Sequence, residues 1–188
     1  MSFSKTHLPG VILFEPDVFP DGRGFFFESY NKRLFQSNHV SSDFVQDNQS
    51  FSIYGVIRGL HYQKEPYAQA KLVRVLRGMI LDVVVDLRAG SPAFGKSYSI
   101  ELSAENKRQI FIPKGFAHGF SVLSESAEIS YKCDQFYNKQ SESGIRYDDN
   151  LLKIDWKIPA EKELISEKDA QLPVFNSSLI DFIYPTDV

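Results

Sequence analysis

The run Met79–Leu87, MILDVVVDL, reads most clearly as a strand. Alternation puts Leu81, Val83, Val85 and Leu87 on one face, and Ile80, Val84, Asp82 and Asp86 on the other. Further short runs of strand formers surround it: Val56–Tyr62, Lys71–Leu76, Tyr98–Leu102, Gln109–Ile112, Gly119–Leu123 and Glu128–Phe136. Turn residues such as Ala89-Gly-Ser-Pro92 separate them. This spacing indicates an antiparallel sandwich or barrel and not a βαβ fold. Asp82 breaks an apolar run and needs a buried partner. His118 is the partner we expect, with Asp82 orienting its ring.

Elsewhere, Val11–Phe14 reads as a strand, Phe19–Gly24 as a turn and Phe25–Ser29 as extended chain. Asn31–Ser37 supplies one or two helical turns with Leu34 and Phe35 inward, and Phe44–Ser50 a polar strand or bend. Leu151–Trp156 is expected as a last strand closed by Pro159, followed by a helical Pro159–Leu164 and a charged Ser166–Asp169. The tail Leu179–Tyr184 is apolar enough to pack. A chain of 188 residues suits one domain, 1–188. A net charge of −3 gives no global field for nucleic acid. No apolar run approaches the roughly 20 residues of a membrane span, and the first residues lack a signal-peptide core. The single Cys133 excludes an intrachain disulfide and suits a reducing compartment, so a cytoplasmic location is expected.

Chemistry concentrates in residues 55–78, GVIRGLHYQKEPYAQAKLVRVLRG, which place Arg58, His61, Lys71 and Arg74 among strand formers. Over Ala127–Asp134 the alternation is clean: Ala127, Ile129, Tyr131 and Cys133 share one face, so Tyr131 points inward. Ile112-Pro-Lys-Gly-Phe-Ala-His118 contains P-x-G-x-x-H, the core of the second cupin motif. The matching place in the first motif, normally His-x-His, reads His61-Tyr62-Gln63. Two histidines supply a transition metal poorly, so the expectation is a barrel that works without metal or cofactor. His, Tyr and Lys directed into such a pocket suit proton transfer beside a carbonyl. An imidazole with an ordinary pKa of about 6.5 takes a carbon-bound proton, a tyrosine returns one to the opposite face, and a lysine holds the enolate oxygen between.

The segments FPDGRGFFFESY, FVQDNQS, GVIRGLHYQ, AKLVRVLRG, DVVVDLRAGSPAFG, ELSAENKRQIFIPKGFAHGF, YKCDQFY and SEKD together resemble the dTDP-4-dehydrorhamnose 3,5-epimerase family, from about Leu8 to Pro173. The resemblance implies an all-β cupin jelly roll (double-stranded β-helix) with short peripheral helices. It implies epimerisation at C3 and C5 of dTDP-4-dehydro-6-deoxy-D-glucose, without cofactor, in dTDP-L-rhamnose biosynthesis. The alternatives are a C3-only epimerase and a 3,4-ketoisomerase on a related dTDP-4-keto sugar. By the same resemblance His61 is the base, oriented by Asp169; Tyr131 is the acid; Lys71 holds the carbonyl oxygen. Arg23, Glu28, Gln46, Asp47, Asn48, Arg58, His118, Glu142 and Lys168 match substrate-contacting positions, and Tyr137 matches the aromatic that stacks on thymine. A homodimer is implied, with N-terminal segments near the partner subunit, so that Arg23 and Glu28 serve the neighbouring site. Neither nucleic acid nor membrane is an expected partner. Tyr98 and Tyr147 stand where the family often has Trp, Asn150 where it often has Pro, and Phe136 where it often has Tyr. One geometric difficulty remains. Strict alternation puts Arg58 and His61 on opposite faces, and only an irregular strand, with Gly59 as a bulge, brings both to one pocket.

Overall fold

The computed structural model describes residues 1–176 and 180–185. In chain order its strands begin with β1 (Ser2–Lys5), β2 (Ile12–Glu15), β3 (Phe19–Asp21), β4 (Gly24–Phe26), β5 (Gln46–Ile53) and β6 (Val56–Gln63). Next come β7 (Lys71–Arg77), β8 (Met79–Asp86), β9 (Arg88–Ala89), β10 (Ser97–Ser103) and β11 (Gln109–Ile112). The last are β12 (Phe116–Val122), β13 (Ser126–Cys133), β14 (Glu142–Gly144), β15 (Leu164–Ile165) and β16 (Phe182–Ile183). Helix α1 is Lys32–Ser37, α2 is Glu167–Ala170, and Ala160–Lys162 forms a 3-10 turn.

One sheet has the order β1-β2-β11-β7-β13-β5, the other β10-β8-β12-β6-β14, and β15 joins the second by a parallel pairing with β6. The other ladders of both sheets are antiparallel. This is the all-β cupin jelly roll with short peripheral helices. Why β8 is apolar on both faces is now plain. Ile80 and Val84 enter the barrel core with Val73, Val75, Ile110, Phe120 and Ile129 from both sheets. Leu81, Val83, Val85 and Leu87 lie under an outer layer made by Ile145, Leu152, Trp156 and Phe182. Each such side chain fully buried contributes about 1.5–3 kcal/mol, so both faces hold the strand in register. The other sheet is covered by α1, whose Asn31 cap accepts from the Arg33 and Leu34 N–H groups and whose Phe35 packs on Phe14 and Leu72.

Three expectations are corrected. Leu151–Trp156 is not a strand: the Asp149 carboxylate accepts from Leu151 N and Leu152 N, closing a turn, and Lys153 adopts φ +46°. The segment instead plugs Trp156 onto the outer face of the second sheet, its indole N–H donating to Tyr147 O at 2.8 Å. The edges beside β6 are filled by β14 and β15, two pieces too short to show alternation. The helical stretch predicted over Pro159–Leu164 is confined to Ala160–Lys162. The last long strand ends at Cys133, leaving 134–141 as a loop. The tail does pack, through Phe182, which meets the Tyr62 ring edge-on, while the Tyr62 hydroxyl donates to Asp181 at 2.7 Å; Leu179 lies outside the described residues. No helix among the described residues is long and apolar enough to cross a membrane.

Candidate active site

The site begins with an irregularity in β6. Across to β12, His61 pairs with His118 and Arg58 with Phe120. Gly59 and Leu60 therefore oppose Gly119 alone, and this bulge restores Arg58 and His61 to one face. Gly59 has φ +123°, and a Cβ there would sit 2.6 Å from the Gly119 Cα, so a side chain is excluded twice over. Leu60 and Tyr62 point to the outer layer. His61 and Gln63 line a cleft of about 360 Å³ between the sheets, together with Lys71, Tyr131 and Glu142.

His61 meets a carboxylate that lies 108 residues further along the chain. Its Nε2 is 2.8 Å from Asp169 Oδ1, while Asp169 Oδ2 accepts from Gly59 N at 3.2 Å. The parallel β15–β6 pairing delivers this carboxylate, and Ser166 caps the short α2 that carries it. Burial works to raise the Asp169 carboxyl, but His61, Gly59 N–H and Ser166 together hold it below the usual carboxylate range. A second pair lies alongside, His118 Nε2 to Asp82 Oδ2 at 2.8 Å, with Asp82 fully buried. Asp82 is thus the partner of His118, as its place in an apolar strand demanded. Its Oδ1 has no hydrogen bond among the described residues.

Lys71 shares the inner face of β7 with Val73 and Val75. Burial pulls its ammonium below the ordinary lysine value, against the opposing pull of Cys133, Asp82 and Glu142. Tyr131 is pushed up, first by burial and then by Cys133, with Arg58 opposing, so it keeps its proton near neutrality. Burial also raises the Cys133 thiol, which packs beside Asn48 as an inert wall residue. At the mouth Glu142 joins two groups: Tyr137 OH donates to Oε2 at 2.9 Å and Lys168 Nζ to Oε1 at 2.6 Å. Burial opposes ionisation of Glu142, yet these donors keep it below the usual range. Tyr137 is 55% exposed, so its ring is open to a ligand.

Of the positions singled out from sequence, His61, Lys71, Tyr131, Gln46, Asn48, Tyr137 and Glu142 line this one cleft. Arg58, Lys168 and Asp169 line an adjoining recess that also contains His61, and His118 sits behind on β12. Three lie elsewhere on the chain. Asp47 is on the outer face of β5, bound by Lys132 at 2.7 Å. Arg23, at the tip of the β3–β4 hairpin, is held by Asp21 at 2.7 Å, and Glu28 is exposed beyond it. Gln63, Gln69 and Cys133 also line the cleft. Gln63 carried a sequence signal as the residue in place of a cupin histidine, and Cys133 shared the inward face of Tyr131 by alternation; Gln69 carried none. No group of three or more His, Cys, Asp or Glu side chains suited to a metal occurs among the described residues.

Comparison with known proteins agrees with this geometry. Residues 5–177 match the family model for dTDP-4-dehydrorhamnose 3,5-epimerase. A Pseudomonas aeruginosa relative of that name is 55% identical over 177 residues, 93% of this chain and 96% of that one. The structure of a Legionella pneumophila dTDP-6-deoxy-D-glucose-3,5-epimerase in complex with dTDP-4-keto-L-rhamnose superposes with TM-score 0.92, at 44% identity, covering 98% of both chains. A 3'-monoepimerase from Streptomyces bikiniensis, in complex with dTDP-quinovose, is also similar, at 31% identity and TM-score 0.83 over 90% of this chain and 85% of that one. The barrel, the cleft and these matches lead to one conclusion: the chain belongs to the dTDP-4-dehydrorhamnose 3,5-epimerase family and is an epimerase.

Proposed function

We propose that this chain, acting as one domain over residues 1–188, inverts C3 and C5 of dTDP-4-dehydro-6-deoxy-D-glucose to give dTDP-4-dehydro-L-rhamnose in the cytoplasmic synthesis of dTDP-L-rhamnose. The observation that carries the reading is the His61–Asp169 pair, which opens on the same cleft as Tyr131 and Lys71. The C4 ketone acidifies the protons on both neighbouring carbons. The ionised Asp169 accepts from Nε2–H of His61, leaving Nδ1 as the basic nitrogen. His61 takes the proton from C3 or C5, and the electron pair moves onto O4. Lys71 holds that oxygen as an enolate, in a site where exclusion of bulk water strengthens the interaction. Tyr131, which keeps its proton, gives it to the carbon from the opposite face, and the ketone is restored with inverted configuration. No cofactor enters these steps. Arg58, His118, Lys168, Gln46 and Asn48 bind the nucleotide sugar away from the reacting carbons, and Tyr137 stacks on thymine. Such remote contacts hold the sugar in the reactive pose.

A homodimer completes the proposal. The β3–β4 hairpin exposes Phe19, Phe25 and Phe26, and β5, the edge of its sheet, exposes Phe51 and Ile53. Apolar side chains on an unpaired edge fit a second copy of the chain. In that arrangement Arg23, Glu28 and Asp47, which miss their own cleft, act near the partner's site.

Solvent deuterium incorporation tests the reaction. With dTDP-4-keto-6-deoxyglucose in heavy water and no reductase, NMR is expected to show label at C3 and at C5. Label at C3 alone would move the protein to the C3-only branch, which its likeness to the 3'-monoepimerase keeps in view. A 4-keto group relocated to C3 would identify a 3,4-ketoisomerase, and no label at either carbon would sink the substrate assignment. Asp82→Asn tests the second histidine pair. It keeps an acceptor for His118 but no charge, so kcat/KM is expected to fall about 10-fold while the thermal midpoint moves little. Equal loss of both would make Asp82 a folding residue only.

A further inference from the structure

Gln63 stands where a metal-binding cupin would place its second histidine, and the proton transfers proposed above do not use it. It is 5% exposed, follows His61 on the inner face of β6, and spends its amide on backbone groups. Nε2 donates to Tyr67 O at 2.6 Å and to Phe136 O at 3.2 Å, and Oε1 accepts from Asn138 N at 2.6 Å. Between Phe136 and Asn138 lies Tyr137, whose own N–H donates to Gln46 Oε1 at 3.0 Å. One residue earlier than Phe136, the Gln135 carbonyl accepts from Gln69 Nε2 at 2.7 Å. The loop after β13 has no strand ladder here, so cleft-wall glutamines take over the pairing of its backbone.

Gln63 is central among them because it grips the chain on both sides of Tyr137. A surface loop with an exposed aromatic is otherwise free to swing, and ordering it on binding reduces affinity. We propose that Gln63 is a positioning residue for nucleoside recognition. It fixes the loop so that the Tyr137 ring is preset for the base, and it ties that loop to the strand carrying His61. The inference rests on the reading of Tyr137 as the stacking residue.

The test measures dissociation constants for dTDP and for inorganic pyrophosphate by titration calorimetry. It compares the full chain with Gln63→Leu, Gln63→Glu, Tyr137→Ala and the Gln63→Leu/Tyr137→Ala pair. Gln63→Leu is expected to weaken dTDP about 10-fold and to leave pyrophosphate within about twofold. Tyr137→Ala gives a similar selective loss, and the double variant loses no more than either single one. Gln63→Glu keeps an acceptor for Asn138 N–H but turns a carboxylate on two carbonyls. It should show the same selective loss, and it decides the matter if the leucine variant does not fold. A fold that is merely loosened loses both probes alike, and that result would overturn the proposal. So would additive losses in the double variant, or unchanged dTDP binding in both Gln63 variants while Tyr137→Ala weakens it. If Tyr137→Ala leaves dTDP untouched, the stacking reading itself fails, and the inference with it.

Discussion

His61→Asn is expected to slow turnover at saturating substrate by about 1,000-fold or more, with no solvent deuterium at C3 or C5. Asparagine retains a donor toward Asp169 but has no basic nitrogen, so dTDP affinity is expected to survive. Loss of binding together with turnover would make His61 a structural residue, and retained exchange would place the base elsewhere. The same variant carries a pH signature. Despite burial, the folded protein holds the Asp169 carboxyl below its unfolded value, with His61 the largest stabilising partner. Asp169 therefore stabilises the fold at neutral pH, and this contribution is lost as pH falls through the folded pKa. Without the imidazole the carboxyl rises toward its ordinary value. Acid unfolding of His61→Asn should then begin at a higher pH than in the parent, read by circular dichroism.

Lys71→Met is expected to separate activity from stability. Turnover falls about 100- to 1,000-fold, the usual consequence of removing one group that stabilises an oxyanion, and the thermal midpoint rises. The rise follows from the direction of the lysine shift. Burial lowers the folded pKa below the unfolded value, so between the two the unfolded chain binds more protons and stability increases with pH. Below both pKa values the two states are protonated, and the fold bears the full penalty of the desolvated ammonium. Methionine keeps the stem and removes that penalty. The gain is modest: part of Lys71 is solvated through the cleft, and Asp82 loses a nearby cation although it keeps His118. For a chain of this size, about 1 kcal/mol corresponds to about 2–4 °C. A lower midpoint together with lost activity would make Lys71 a packing residue. An active variant would remove it from the enolate.

What local order encodes was legible without coordinates. Period-two alternation assigned the two faces of β8 and the inward direction of Tyr131, because side-chain direction in a strand depends only on position along it. The same logic found Asp82 a buried partner, since a carboxylate in an apolar run cannot be left unpaired. The family motifs named His61, Lys71 and Tyr131, and folding places all three around one cleft. Where alternation stopped, the sequence became ambiguous. Gly59 was readable as a possible bulge, but the two-for-one count exists only once β6 lies against β12. The covering role of Leu151–Trp156 was hidden for a related reason: its apolar residues serve an outer layer, and nothing local distinguishes that from a strand. Local pattern also left unpaired the contacts between His61 and Asp169, and between Gln63 and the backbone of 136–138. They depend on how β15 and the loop after β13 pack beside β6, and side chains brought together across 108 residues leave no periodic trace in the segments between them.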